Sequence, residues 1–363
     1  MAAPSPQGDS VPDPSDTRVI PSAAPSRTLY VDTVGATVRH RSERLVVQLS
    51  TDTGRETLAA YPACDLGAVV LVGRGTHCST PALRFCLQRD LEVLLLSRNG
   101  KLEGRVAPPA SASHVEVRQA QYAASEQAER RVPYARAWVG AKLHNMQRRL
   151  YRRACRSSCP ALETALESFE ALERRHMRAD SLDVLRGLEG AAARAYFQAW
   201  PALIQREEAA FAFSGRDRRP PGDAVNALLG FTYALLQKDV RSACATAGLD
   251  PALGLLRGPR PNLPAVVLDL MEPFRPALAD SVVLALLNRK TISSDHFEDR
   301  DGGVYLNKQG RAAVYEAYGN RRTSTITPPE YDRALPYVRA MELQARRLAD
   351  ALTDDSSFTA FRL

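Results

Sequence analysis

Three carboxylates in this sequence stand among apolar neighbours, where a carboxylate is costly. Asp269 and Glu272 lie in AVVLDLMEPFRP, three residues apart and so on one face of the helix this segment predicts. Val266, Val267, Leu268, Leu270, Met271 and Phe274 surround them. Glu189 lies in SLDVLRGLEGAAARAYF, at helical spacings from Leu182, Leu185, Ala192, Ala193 and Tyr196. A desolvated carboxylate is unfavourable unless a cation meets it. Two chemistries could supply one: Mg²⁺ or Mn²⁺, which prefer oxygen ligands, or ion pairing with Arg275 or another arginine. Pro273 and Pro276 have no N–H to give the carbonyls of Asp269 and Glu272, so the helix should bend there and turn the pair towards Glu189.

A second feature is cationic. Residues 130–156, RRVPYARAWVGAKLHNMQRRLYRRACR, hold nine Arg or Lys and no Asp or Glu, with Tyr134 and Trp138 interleaved. Such a helix attracts a polyanion, because each neutralised phosphate releases counterions. Lys142, Arg148, Arg149 and Arg152 are its candidate DNA contacts. SGRDRRPP (214–221) adds Arg216, Arg218 and Arg219 just ahead of a predicted helix N-terminus, a position that favours anions. The whole chain is basic, with a net charge of +7. Only five of its 48 basic residues are lysines, and the arginine fork suits phosphate oxygens.

Other chemistries lack their residues. The six histidines form no HExxH or HxxxH pair, and no phosphate-binding glycine loop or nucleophile elbow occurs. Cys155 and Cys159 are four apart, without a second pair to complete a zinc site. Cys64, Cys78, Cys86 and Cys244 read as small buried residues.

The elements that must position these groups fall into two blocks. Residues 1–27 hold six prolines and little to bury, which reads as a disordered tail. From 28 to 106 the chain is β-rich. TLYVDT, ATVRH and RLVVQL are short strands, and AVVLVG and LEVLLLS are the continuous apolar runs of buried strands. Between the last two, TPALRFCLQRD predicts a helix capped by Thr80, with Pro81 at its first position. A Pro/Ser/Ala linker covers 107–114. Helical patterns then run over 115–131, 133–155, 160–177, 181–212, 221–247, 264–288 and 329–352, followed by a tail over 353–363. The expected fold class is α+β: a small N-terminal β-rich domain, then a larger all-helical domain of the catalytic type over 115–352.

Composition excludes collagen, coiled coil and wholesale disorder: 45% of residues are hydrophobic and 25% charged. No apolar run reaches the ~20 residues of a spanning helix, and the first residues lack a signal-peptide pattern. Cytoplasmic location, with no membrane partner, is the expectation.

Read together, these segments resemble the CRISPR-associated protein one family, the endonuclease and integrase of spacer acquisition. The resemblance runs from about Leu29 to Tyr318. It is carried by LYVDTVGATVRHRSERLVV, LSRNGKLEGR, RQAQY, the basic helix with Lys142 and Asn145, LRGLEGAAARAYF, RDRRPPGDAVNALLGFTYALL, AGLDPALGLL and LDLMEPFRP, in that order and spacing.

The resemblance implies a β domain used for dimerisation, a homodimer, double-stranded DNA as substrate, and assembly with the small CRISPR-associated protein two. It also implies Mg²⁺ or Mn²⁺ held by a glutamate, a histidine and a second acid. The metal-ligand acids fall on Glu189 and Glu272, with Asp269 as companion catalytic acid. The histidine position, fifteen residues before Glu272, falls on Arg257. A guanidinium has no lone pair for a metal. Two functions follow: a metal-dependent DNA endonuclease and integrase that joins fragments into the repeat array, or a catalytically impaired DNA-binding structural subunit of the same complex.

Overall fold

The computed structural model describes residues 27–51, 54–107, 114–157, 159–217, 220–331 and 333–363. The tail expected over 1–27, Arg27 apart, and the middle of the 107–114 linker lie outside the described residues.

The N-terminal block is two four-stranded sheets. Strands β1 (Arg27–Val31), β2 (Ala36–Arg41), β3 (Arg44–Thr51), β4 (Gly54–Pro62), β5 (Leu66–Val72), β6 (His77–Cys78), β7 (Glu92–Leu96) and β8 (Leu102–Val106) order as β1-β5-β7-β8 and β4-β3-β2-β6. β5 runs parallel to both β1 and β7, and β8 closes antiparallel on β7. The side-chain period of two explains the unbroken apolar run of β5. Val69 and Leu71 face the inner core with Val38, Leu45, Val47 and Val93, whereas Val70 and Val72 face outward with Leu94 and Leu96.

Helix α1 (Thr80–Gln88) bridges the β7 crossover. Its cap is Ser79, whose hydroxyl accepts the Ala82 N–H at 3.4 Å, and not Thr80 as the sequence pattern indicated. Cys86 and Cys244 are buried as expected and Cys78 is half-buried, but Cys64 is exposed. In these sheets β2 and β3 are paired on both sides; β1, β8, β4 and β6 are the edges, and β4 is exposed along most of its length.

The second block is mainly helical: α2 (Val115–Glu126), α3 (Ala128–Ala154), α4 (Pro160–His176), α5 (Leu182–Gln198), α6 (Ala224–Thr246), α7 (Ala265–Leu270), α8 (Asp280–Asn288), α9 (Lys308–Thr323) and α10 (Tyr337–Thr353). Its core is built around Trp138, Phe169, Tyr196 and Trp200, all fully buried.

Three departures from the sequence pattern matter. A β9–β10 hairpin (Phe297–Arg300, Gly303–Leu306) turns at Asp301 and Gly302, both left-handed at φ 50° and 74°. Asn307 then caps α9 by accepting the Gly310 N–H at 3.0 Å. The 353–363 stretch is no tail: Ala360 and Phe361 sit in the helical core.

The outer face of the first sheet docks on α9, where the Tyr30 and Tyr315 rings stack at 4.0 Å. Ion pairs pin the contact. Arg311 meets Asp32 at 2.6 Å, and Arg322 reaches both Asp239 (3.1 Å) and the Thr28 hydroxyl (3.1 Å). Among the described residues, no helix is long and apolar enough to cross a membrane.

Candidate functional site

Glu189 is presented by α5, whose start is fixed by the Ser181 hydroxyl accepting the Val184 N–H and whose Leu185, Leu188 and Ala192 face is buried. Asp269 lies on α7. The bend expected at Pro273 is a full break: α7 stops at Leu270, a turn covers 271–273, and a π-helical turn (Arg275–Ala279) leads into α8. α3 braces the break through the carbonyls of both prolines. Asn145 Nδ2 donates to the Pro273 carbonyl at 2.9 Å, and Arg149 Nε to that of Pro276 at 3.0 Å.

These contacts bring Glu189, Asp269 and Glu272 into one cluster, stitched by two cations. Lys142 pairs with Glu189 Oε1 and lies 2.6 Å from Glu272 Oε2. The second contact is an ion pair, outside aligned hydrogen-bond geometry. Arg257 donates from Nη1 to Asp269 Oδ1 at 2.8 Å and from Nη2 to Glu272 Oε1. Arg275 approaches the same Glu272 oxygen at 3.6 Å. Asp269 Oδ2 also accepts the N–H groups of Leu255 and Leu256, each at 2.9 Å, which fixes the loop that carries Arg257. Gly254 allows this approach: a Cβ there would lie 2.6 Å from the Arg257 carbonyl and 2.8 Å from Asp269 Oδ2. The Asp269 and Glu272 side chains are 0% and 1% exposed, while Glu189 and Arg257 keep 23% and 24%, so the cluster meets solvent through that pair.

Burial alone would raise the Glu272 carboxyl, but the charges of Arg275, Lys142 and Arg257 outweigh it and hold the group well below the usual carboxylate range. Burial would lower Arg257, and the Glu272 and Asp269 charges outweigh it in turn, so the guanidinium is held above its ordinary value. Burial pushes Asp269 up against the pull of Arg257 and the Leu256 amide. Even so, the partners on its oxygens are all N–H donors, the surroundings of an ionised carboxylate.

The Mg²⁺ or Mn²⁺ implied by the sequence resemblance does not fit this arrangement. A hard divalent ion needs several oxygens free to point at one centre. Both oxygens of Glu272 face cations, those of Asp269 are taken by N–H donors, and Glu189 is paired with Lys142. Arg257 stands where the third ligand would be, and it brings charge of the wrong sign. Among the described residues, no group of three or more His, Cys, Asp or Glu could hold a metal ion.

One face of α3 beyond the cluster lines a groove of about 500 Å³ against α8. Arg148, Arg149, Arg152, Arg153, Arg156 and Arg289 line it, and no Asp or Glu does. Burial and the neighbouring Arg148 and Arg149 charges pull Arg152 below its ordinary value, which marks the positive field there.

Of the expected DNA contacts, Arg148, Arg149 and Arg152 are in this groove. Lys142 does not line it: the side chain is 3% exposed and turned into the acids. Arg216 donates to Asn226 Oδ1 at 2.6 Å, and the α6 N-terminus it precedes is already capped by Asp223. Arg218 and Arg219 lie outside the described residues. Arg153, Arg156 and Arg289 also line the groove and were not among the expected contacts. Arg153 on α3 and Arg156 in the turn after it continue the three-to-four spacing of Arg149, a signal present in the sequence, whereas Arg289 joins only through the fold.

The family model for CRISPR associated protein Cas1 matches residues 29–320. CRISPR-associated endonuclease Cas1 2 of Rhodospirillum rubrum is 39% identical over 340 residues, covering 90% of this chain and 95% of its own length. CRISPR-associated endonuclease Cas1 1 of Thermus thermophilus is 38% identical, covering 93% of this chain and 99% of its own. Among solved structures, a casposase bound to integration product superposes with a TM-score of 0.77 at 22% identity, over 92% of each chain. A Cas1 protein from Thermotoga maritima gives 0.75 at 22%, over 93% and 99%. These two share the fold. With a family model spanning most of its length and relatives near 40% identity, the chain belongs to the CRISPR-associated Cas1 family.

Proposed function

We propose that this chain binds double-stranded DNA and works in CRISPR adaptation, as the DNA-holding structural subunit of the assembly that joins fragments into the repeat array. The groove between α3 and α8 carries this reading: six arginines line it with no Asp or Glu among them, and the Leu363 oxygen meets only Arg148 of the six, which leaves a positive field. Arginine forks suit phosphate oxygens, and backbone contacts position a duplex without reading its sequence. Binding should weaken steeply with salt, linearly in log–log form. Dissociation constants measured across a salt series test this, and a salt-independent value would overturn it.

Strand chemistry by this chain itself is weak or lost in this reading, because the acid cluster is neutralised by its own Lys142, Arg257 and Arg275. The second reading is a metal-dependent endonuclease and integrase using Glu189, Asp269 and Glu272 with Mg²⁺ or Mn²⁺; the convergence of the three acids favours it. Strand integration assayed with and without Mn²⁺ separates the two. Efficient Mn²⁺-dependent joining by the purified protein would establish the second.

The assembly includes a homodimer and the small CRISPR-associated protein two. A solved Cas6-RT-Cas1–Cas2 complex contains a region that superposes on 93% of this chain with a TM-score of 0.75, this chain spanning 36% of that one. The exposed edge strand β4 is the surface offered for self-association. Light scattering with and without the partner tests this, and a monomer in both would count against it.

A further inference from the structure

We infer that Arg257 and Lys142 are resident cations that replace a divalent ion outright, so that the acid cluster of this chain is a metal-free ionic lattice that holds α3, α5 and α7 together. The inference rests on the Cas1-type reading of the cluster and is independent of whether the groove binds DNA.

Charge supports it first. Three carboxylates meet Lys142 and Arg257 at bonding distance, with Arg275 at 3.6 Å from Glu272, so three negative charges face three positive ones without an ion.

Connectivity supports it next. The pairs run in one chain, Glu189 to Lys142 to Glu272 to Arg257 to Asp269, and cross from α5 through α3 to α7 and the 254–257 loop. Arg257 is pre-positioned. Asp269 holds its loop by backbone amides, Arg131 Nε donates to the Leu255 carbonyl at 3.0 Å, and Arg186 Nε donates to that of Leu256 at 2.9 Å. A guanidinium held this way does not move aside to admit a metal. Swinging it out would leave Asp269 and Glu272 buried without it.

The two architectures respond oppositely to removal of one negative charge. In an ion-free metal site the acids repel one another, so Glu189→Gln stabilises the protein. In the lattice Glu189→Gln strips a partner from Lys142 and destabilises it. Glu189 is part-exposed, so the variant should fold.

The experiment is thermal unfolding and Mn²⁺ calorimetry on the full chain, as wild type, Glu189→Gln, Arg257→His and Arg257→Gln. The wild-type midpoint should be unmoved by Mn²⁺, and Glu189→Gln should lower it by several degrees. Arg257→His removes a permanent charge and adds an imidazole nitrogen that Mn²⁺ accepts. It should bind Mn²⁺ at least tenfold more tightly than wild type and be stabilised by it. Arg257→Gln removes the charge alone and should give a smaller gain, which keeps the test alive if the histidine variant misfolds. A wild type stabilised by Mn²⁺, a Glu189→Gln midpoint above wild type, or no gain in either Arg257 variant would each overturn the inference. Failure of DNA binding would leave these outcomes untouched.

Discussion

Lys142 Nζ lies 2.6 Å from Glu272 Oε2, with the two side chains 4% and 1% exposed. The basic helix α3 therefore has two roles along its length. Near Lys142 its charge is spent inside the fold, and from Arg148 onward it faces the groove. Lys142→Met keeps the stem and deletes the charge. It leaves Glu272 buried beside one fewer cation, and breaking such a pair costs about 3–5 kcal/mol. Denaturant unfolding should show a loss of that size. The salt slope of DNA affinity should stay unchanged, because Lys142 is buried and turned into the acids. A reduced slope at native stability would return Lys142 to the DNA surface.

Acid should weaken the cluster through Glu272. Its carboxyl is held below its unfolded value, so its contribution is complete above the unfolded pKa, near 4.3, and is lost as pH falls towards the folded value. The difference in unfolding free energy between wild type and Glu272→Gln should be constant near pH 6. Below about pH 4.5 it should shrink by up to about 1.4 kcal/mol per pH unit. Asp269 is shifted in the other direction and shares Arg257 with Glu272, so Asp269→Asn is made in both backgrounds to remove its titration from the difference. A difference that grows on acidification would contradict the assigned sign.

In the groove, Arg148 and Arg152 are the exposed members on α3 nearest the cluster. Arg148→Ala with Arg152→Ala should weaken DNA binding similarly for unrelated sequences. Each lost phosphate contact should reduce the log–log salt slope by about 0.9. Stability should fall modestly through Arg148, whose guanidinium donates to the Leu363 oxygen, and change little through Arg152. Unchanged affinity and slope in the double variant would move the DNA path off this face.

Much of this was readable in advance, for physical reasons. β5 and β7 declared themselves because strands buried on both faces are unbroken apolar runs. The acid trio declared itself because carboxylates among leucines need partners. The partner of Glu189 and Glu272 was harder to see. Lys142 sits in a run of nine cations, and nothing local distinguishes the one that turns inward. β4 was hidden because its GRETLAAYP is exposed along most of its length and shows no alternation. The β9–β10 hairpin was missed despite its Asp301–Gly302 turn, since four-residue strands carry too few apolar positions to show a period. Residues 353–363 read as a tail because Phe358, Ala360 and Phe361 are too few to form a pattern, yet the core supplies their partners.

That last stretch supports the cluster from behind. Phe361 is fully buried and stacks on Phe274 with ring centroids 4.4 Å apart. Asn145 ties it in: Oδ1 accepts the Leu363 N–H at 2.8 Å, while Nδ2 donates to the Phe361 carbonyl (3.3 Å) and the Pro273 carbonyl (2.9 Å). Pro273 follows Glu272 directly, so one buried amide couples this strap to the turn that carries a cluster carboxylate. Phe361→Ala should cost about 3–5 kcal/mol as a large-to-small core change. Asn145→Ala should cost about 1–3 kcal/mol through its unpaired buried partners. Because both changes release the same strap, the double variant should lose less than the sum, by at least about 0.5 kcal/mol in a double-mutant cycle. Hydrogen exchange should quicken at 358–363 and at 271–276 in either single variant. Additive costs, with exchange confined to 358–363, would show that the strap packs on the core without steadying the Glu272 turn.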